Sequence, residues 1–222
     1  MVTLETQNEN HRSARSSERC YEILRRMLIC GQIPPGTRLR EIEWSERLEV
    51  QRAALREAMV LLVHDGLLLR RSSGGFFTPS LSEIDIECVV DARIVLEVGA
   101  LRLTCQRKLP DSAFQHVEDA CNLMERCHEA GMASGFSEAD FLFHQRLLEL
   151  SGNSTLIQMF SHSAQLIFVI NPVTGEQRRI AESNTIREHR DILNLAQSGN
   201  EAVAVSKLEE HLKTTKSGLR AL

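Results

Sequence analysis

Residues 41–66 read EIEWSERLEVQRAALREAMVLLVHDG, and the spacing in that stretch decides the fold of the first third of the chain. Positions 41–48 read as a short helix, Glu49-Val50 as a tight turn, and 51–65 as a longer helix that Gly66 ends. Two helices joined so closely make a helix-turn-helix. Upstream, Cys20, Ile23, Leu24, Met27 and Leu28 recur at helical spacing within 16–30, and Gly31 closes that helix. After Pro34-Pro35-Gly36 comes a short extended piece over 37–40. Downstream, 67–71 and 76–79 flank Ser72-Ser73-Gly74-Gly75, the pattern of a hairpin whose glycines supply positive φ. The combination is a winged helix, with Leu55, Met59 and Leu62 expected in its core.

Beyond residue 80 no strand pattern and no internal repeat appears. Helices are expected at about 82–107, 111–131, 134–150, 153–170, 178–198 and 200–218, with breaks at Pro110, Gly131, Gly152-Asn153, residues 172–175 and Gly199. This is the pattern of an antiparallel helical bundle. The fold class is therefore mainly α: a disordered polar tail over 1–15, a winged helix-turn-helix over 16–79, and an all-helical domain over 80–222.

At 222 residues the chain can bury one large or two modest cores. No apolar run approaches the roughly 20 residues that span a bilayer. The first fifteen residues are polar, unlike a signal peptide, so a cytoplasmic protein away from membranes is expected. The six cysteines form no CxxC pair and read as reduced core residues. Charge divides unevenly. Residues 1–79 carry 12 Arg and no Lys against 10 acids, whereas 80–222 carry 14 basic and 20 acidic residues. Arginine is the side chain suited to bidentate contact with phosphate and guanine.

Four polar residues break the apolar stripes of the second region. Phe136, Asp140, Phe143, His144 and Leu147 share one helix face; Ile186, His189, Leu193 and Ala196 a second; Ala204, Leu208, His211 and Leu212 a third. A single such histidine is ordinarily a core residue bonded to a neighbour. Several unpaired imidazoles and a carboxylate facing one core would cost several kcal/mol each, so mutual pairing or a shared cation is implied. Asp140 and His144, four apart, project from one face and can hold one ion. Three nitrogens and one oxygen suit a divalent transition metal (Zn, Ni, Mn, Co or Fe) and leave positions open for water or a small anion.

The ordered series Gly31-x-Ile33-x-Pro35-Gly36-x-x-Leu39-x-Glu41, Leu48-x-Val50-x-Arg52-x-x-Leu55-Arg56-Glu57-Ala58, Asp65-Gly66-Leu67 and Gly74-Gly75-Phe76 continues past residue 80. There it runs through Arg93-x-x-Leu96-Glu97, Asp140-x-x-Phe143-His144, Gly152-Asn153, Glu188-His189-Arg190-x-Ile192-Leu193 and Glu210-His211-Leu212. Over nearly its whole length the chain resembles a GntR-superfamily transcriptional regulator of the FadR type with an FCD effector domain. It departs from the usual pattern at Gln51, where a small capping residue is typical, at Glu49, where glycine is typical, and at Ala54.

The resemblance implies double-stranded operator DNA as partner, with Arg52 and Arg56 contacting it from the start of the recognition helix. The alternative for that pair is a solvated face with Glu57 and Asp65 as partners. Arg40 is expected to reach phosphate, and Gly74 and Gly75 to let the wing approach the minor groove. Arg93, with Ile86, Val90, Glu97 and Ala100 on its stripe, either pairs with Glu97 or clamps a small carboxylate effector that also reaches the metal. Asn153 either caps its own helix or bonds that effector. The expected function is a metal-containing, carboxylate-responsive regulator, a homodimeric repressor released by ligand. Two alternatives stand beside it. One is a metalloenzyme, for which no general base with a distinctive motif is found beside the ion; the other is a constitutive DNA-binding protein with a structural metal.

Overall fold

The computed structural model describes residues 2–72, 74–80, 83–163 and 175–220. They form two compact units, Met1–Ser80 and Leu81–Leu222.

In the first unit α1 (Val2–Ile29) packs on α3 (Arg52–His64), and α2 (Glu41–Arg47) packs beside it. Cys20, Leu24 and Leu28 of α1 and Leu55, Ala58, Met59 and Leu62 of α3 are all fully buried. Each large apolar side chain removed from water stabilises the unit by about 1.5–3 kcal/mol, so the 3.6-residue period outweighs the polar surface of α1. The expectation of a disordered tail over 1–15 is corrected: α1 starts at Val2. Residues 2–15 hold no Pro or Gly and include Glu5, Gln7, Glu9, Arg12 and Arg15, so the helix nucleated over 16–29 propagates backward at little cost.

A three-stranded sheet closes the unit. β1 (Arg38–Leu39) and β2 (Leu69–Arg70) both pair antiparallel with β3 (Phe76–Phe77), giving the order β1-β3-β2. Leu39 faces Phe76, and both side chains are buried. The expected hairpin is present, while Ser73 at its tip lies outside the described residues.

The turn between α2 and α3 has a local cause. After α2, Val50 N–H donates to Ser45 O at 3.0 Å and Glu49 N–H to Glu46 O at 3.2 Å, the paired bonds of a helix C-terminal motif that needs a left-handed residue. That residue is Glu49, at φ +54°. The same motif after α3 uses Gly66, at φ +75°, where glycine adopts the conformation without strain.

The second unit is all-helical among its described residues. It comprises α4 (Glu83–Gln106), a 3-10 turn (Asp111–Phe114), α5 (Gln115–Glu129), α6 (Ala133–Glu149), α7 (Ser154–Ser163), α8 (Gly175–Gln197) and α9 (Glu201–Arg220). Of the expected 153–170 helix, 164–170 lie outside the described residues, as do 171–174 of the break after it. α5 packs on α6 and α8, and α9 on α4 and α8. Phe136, Phe143, Leu147, Leu193, Ala196, Ala204, Leu208 and Leu212 belong to one buried cluster, so all three stripes read from the sequence point into one core. The six cysteines are all free thiols.

Candidate metal centre and DNA-binding surface

His144 on α6, His189 on α8 and His211 on α9 are all buried, and one ring nitrogen of each lies within 4.8 Å of the others. His189 Nε2 is 3.1 Å from His211 Nε2. Asp140, one turn before His144, places Oδ1 3.5 Å from His189 Nε2 and 3.8 Å from His144 Nε2. That oxygen is buried and accepts no hydrogen bond among the described residues.

Two further carboxylates fix which nitrogens face inward. His144 Nδ1 is 2.6 Å from Glu97 Oε2, and His211 Nδ1 is 2.7 Å from Glu188 Oε2. An ionised carboxylate only accepts, so both Nδ1 atoms carry the proton, and in the neutral rings the Nε2 lone pairs point at the cluster. Glu97 is ionised: burial alone would raise its pKa, but Arg93 and His144 together hold it down at about 2. A hydrogen bond from His211 likewise lowers that of Glu188. His189 lacks such a support, its Nδ1 being buried without a hydrogen-bond partner among the described residues. Its ring instead stacks on Phe143, with centroids 3.8 Å apart and planes inclined by 7°.

Burial lowers the pKa of His144, and that of His189 well below the usual histidine value, the latter assisted by the charges of His211, His144 and Arg93. Neutral imidazoles are what a cation requires as ligands. A tetrahedral ion with bonds of about 2.0–2.1 Å holds its donors roughly 3.3–3.4 Å apart. The spacings of 3.1, 3.5 and 3.8 Å lie around that value, and the three rings each place a nitrogen within 4.8 Å of the others, so the residues could hold a small divalent ion.

Arg93 is buried, and its Nε donates to Glu97 Oε1 at 2.6 Å. Of the two roles open to it from the sequence, the ion pair with Glu97 is present. Asn153 acts as a helix cap: its Oδ1 accepts from the backbone N–H of Thr155 at 3.1 Å and of Leu156 at 3.2 Å, at the start of α7.

In the first unit Arg52 and Arg56 open α3 with side chains 63% and 58% exposed. Their shared partner is Glu41 of α2, at 4.0 and 3.8 Å, rather than Glu57 or Asp65. Asp65 accepts instead from the Tyr21 hydroxyl. Arg40, just before α2, donates to Glu43 at 3.0 Å. Gln51 precedes α3 and makes no side-chain cap, as its long side chain implied. Gly74 and Gly75 take φ of +84° and +92°, a region closed to most side chains.

Sequence reasoning missed the second bond of Glu97, the support of His211 by Glu188, and Glu41 as the arginines' partner. Glu188 precedes His189 and Glu210 precedes His211, and nothing in one sequence says which acid faces which ring.

The FCD domain family matches residues 88–214, more than half of the chain. This chain is a member of the FCD domain family. The bacterial regulatory proteins of the gntR family match residues 16–78 of this regulator. It is 30% identical over 201 residues to the uncharacterized HTH-type transcriptional regulator YdhC of Bacillus subtilis, spanning 86% of this chain and 85% of that protein. To the Nta operon transcriptional regulator of Aminobacter aminovorans it is 27% identical, across 84% and 86% of the two chains. Among solved structures, E. coli McbR/YncC superposes with a TM-score of 0.76 at 18% identity over 93% of this chain and 97% of that one, a likeness of fold. This GntR/FCD protein is thus a DNA-binding transcriptional regulator and not an enzyme. No helix among its described residues is long and apolar enough to cross a membrane.

Proposed function

We propose that this regulator holds a divalent transition metal (Zn, Ni, Mn, Co or Fe) through Asp140, His144, His189 and His211, and that a small carboxylate effector completes the site. The observation that carries this reading is the convergence of three buried Nε2 atoms with an otherwise unbonded carboxylate oxygen on two neutral rings and a third. A bound ion supplies Lewis acidity toward an effector oxygen. Arg93 adds positive charge on the same side of the core, through Glu97. The effector biases the helical unit between two arrangements, and by linkage weakens operator affinity only by its difference in affinity for them. The chain acts as a cytoplasmic homodimeric repressor, contacting operator DNA through Arg52, Arg56, Arg40 and the glycine turn at Gly74 and Gly75.

The test is an operator titration of metal-loaded and chelator-stripped protein against a panel of small di- and hydroxycarboxylic acids, with native mass spectrometry reporting metal and subunit count. A response of roughly 5-fold to 150-fold is expected from the loaded protein alone. Equal responses from both forms would remove the metal from the mechanism. The Arg93–Glu97 bond favours a second reading, in which the ion only braces the bundle. In that case stripping lowers stability and every acid in the panel leaves the titration flat.

A further inference from the structure

The three arginines expected at the DNA each have a glutamate within 4.0 Å: Arg40 has Glu43, and Arg52 and Arg56 share Glu41. The wing holds arginines that do not, and two of them share one aromatic ring. Arg38 on β1 and Arg71, the residue after β2, are both exposed and have no carboxylate within 4 Å among the described residues. Both guanidinium groups lie over one ring, that of Phe77 on the central strand, at 5.7 and 4.3 Å from its centroid. The sheet order makes this possible, because Arg38 is the register partner of Phe77 on one side and Leu69, two residues before Arg71, on the other.

Two cations tethered to one ring lie within about a Debye length of each other at 0.1 M salt and repel, so an anion beside the ring would be attracted by both. The ring attracts each of them through its negative face, holding long side chains that would otherwise sample many rotamers. Gly75 belongs to the same construction. A Cβ there would stand 3.3 Å from Arg38 Nε and 3.5 Å from the Phe77 ring, on a backbone at φ +92° that already disfavours side chains.

We propose that Arg38 and Arg71, held on Phe77, form a clamp for a backbone phosphate of the bound DNA. The proposal rests on the DNA-binding reading of the first unit and assigns it a sequence-independent contact outside the recognition helix. Phosphate contacts set the salt dependence of binding, each contributing close to one unit of slope in log Kobs against log salt.

The experiment is binding of the full-length protein to a mixed-sequence duplex across a salt series, for the parent, Arg38→Gln with Arg71→Gln, Arg38→Lys with Arg71→Lys, and Arg52→Ala with Arg56→Ala. The Gln pair is expected to lower the slope by about one unit, because the clamp neutralises one phosphate, and the Lys pair to keep it, since lysine retains the point charge. A parent slope in the Gln pair, with Arg52→Ala and Arg56→Ala still weakening binding, overturns the clamp and leaves DNA binding standing. A slope lost equally in the Lys and Gln pairs also overturns it, because the arginines would then be structural. Parent-like binding in the Arg52 and Arg56 variant as well would instead reject the DNA-binding face itself.

Discussion

His189 and His211 meet through their Nε2 atoms at 3.1 Å although they sit on different helices and are both buried. In the absence of a cation one must donate to the other, and the third ring and Asp140 are left facing them. Replacing both by Ala should remove the metal and lower Tm together, because an ion that binds only the folded chain stabilises it by about 2.7 kcal/mol at a hundredfold excess over Kd. Elemental analysis and thermal melts of the purified double variant check this. Full occupancy without these two rings would place any ion elsewhere.

Glu97→Gln and Glu188→Gln should each weaken metal binding by about 10–100-fold, since the carboxylate that orients a ligating imidazole also raises its basicity. Competition against a chelator of known affinity measures the change. Glu97 carries a second partner, so Arg93→Ala should weaken metal binding as well, by leaving that carboxylate buried beside His144 without its cation. Unaltered metal affinity in all three variants would detach these residues from the centre.

The metal-free protein should lose stability in acid in two stages. His144 and His189 both titrate below their unfolded value near 6.5, so below that pH the unfolded chain binds protons that the folded chain refuses. Stability then falls by up to about 1.4 kcal/mol per pH unit for each ring as pH drops from 6.5 toward the folded values. Glu97 and Glu188 are depressed carboxylates, so their contribution is present above pH 4.5 and is lost below it, for Glu97 down to about 2. Urea midpoints of chelator-treated protein from pH 8 to 4 record the first stage. A midpoint unchanged between pH 7.5 and 5.5 would contradict the neutral, buried state of the two rings.

Glu49→Gly should stabilise the first unit by about 1 kcal/mol. The left-handed region costs a non-glycine residue roughly 1–2 kcal/mol, and glycine recovers less than all of this because its unfolded chain is more disordered. Thermal melts of the parent and variant compare them directly. A lower Tm in the variant would mean that the Glu49 side chain makes a contribution that outweighs its backbone strain.

The convergence of Asp140, His144, His189 and His211 was legible in the sequence because helical periodicity turns spacing into direction: they occupy places where the repeat calls for leucine, and those faces are buried together. The winged helix was legible for a similar reason, with Gly31, Gly66 and the Gly74-Gly75 turn as punctuation. What was not legible depends on rotation between helices. Glu97 and His144 are separated by 47 positions and Glu188 and His211 by 23, so their bonds follow from packing that no local pattern encodes. Glu41 and Arg56 meet because the α2–α3 turn folds one helix against the other. The start of α1 was misjudged because polarity was taken as disorder, whereas a polar stretch free of Pro and Gly extends a helix already begun.

At the corner after α6, Arg107 Nη1 donates to Ser151 O at 2.7 Å, and a Cβ on Gly152 would stand only 1.6 Å from that nitrogen. Positions 107 and 152 therefore answer to each other. A side chain at 152 has to displace the guanidinium, the movable end of a long side chain, on a backbone at φ +65° that already disfavours it. Either that displacement or a shorter residue at 107 leaves the Ser151 carbonyl, just beyond the helix bearing Asp140 and His144, in need of another donor.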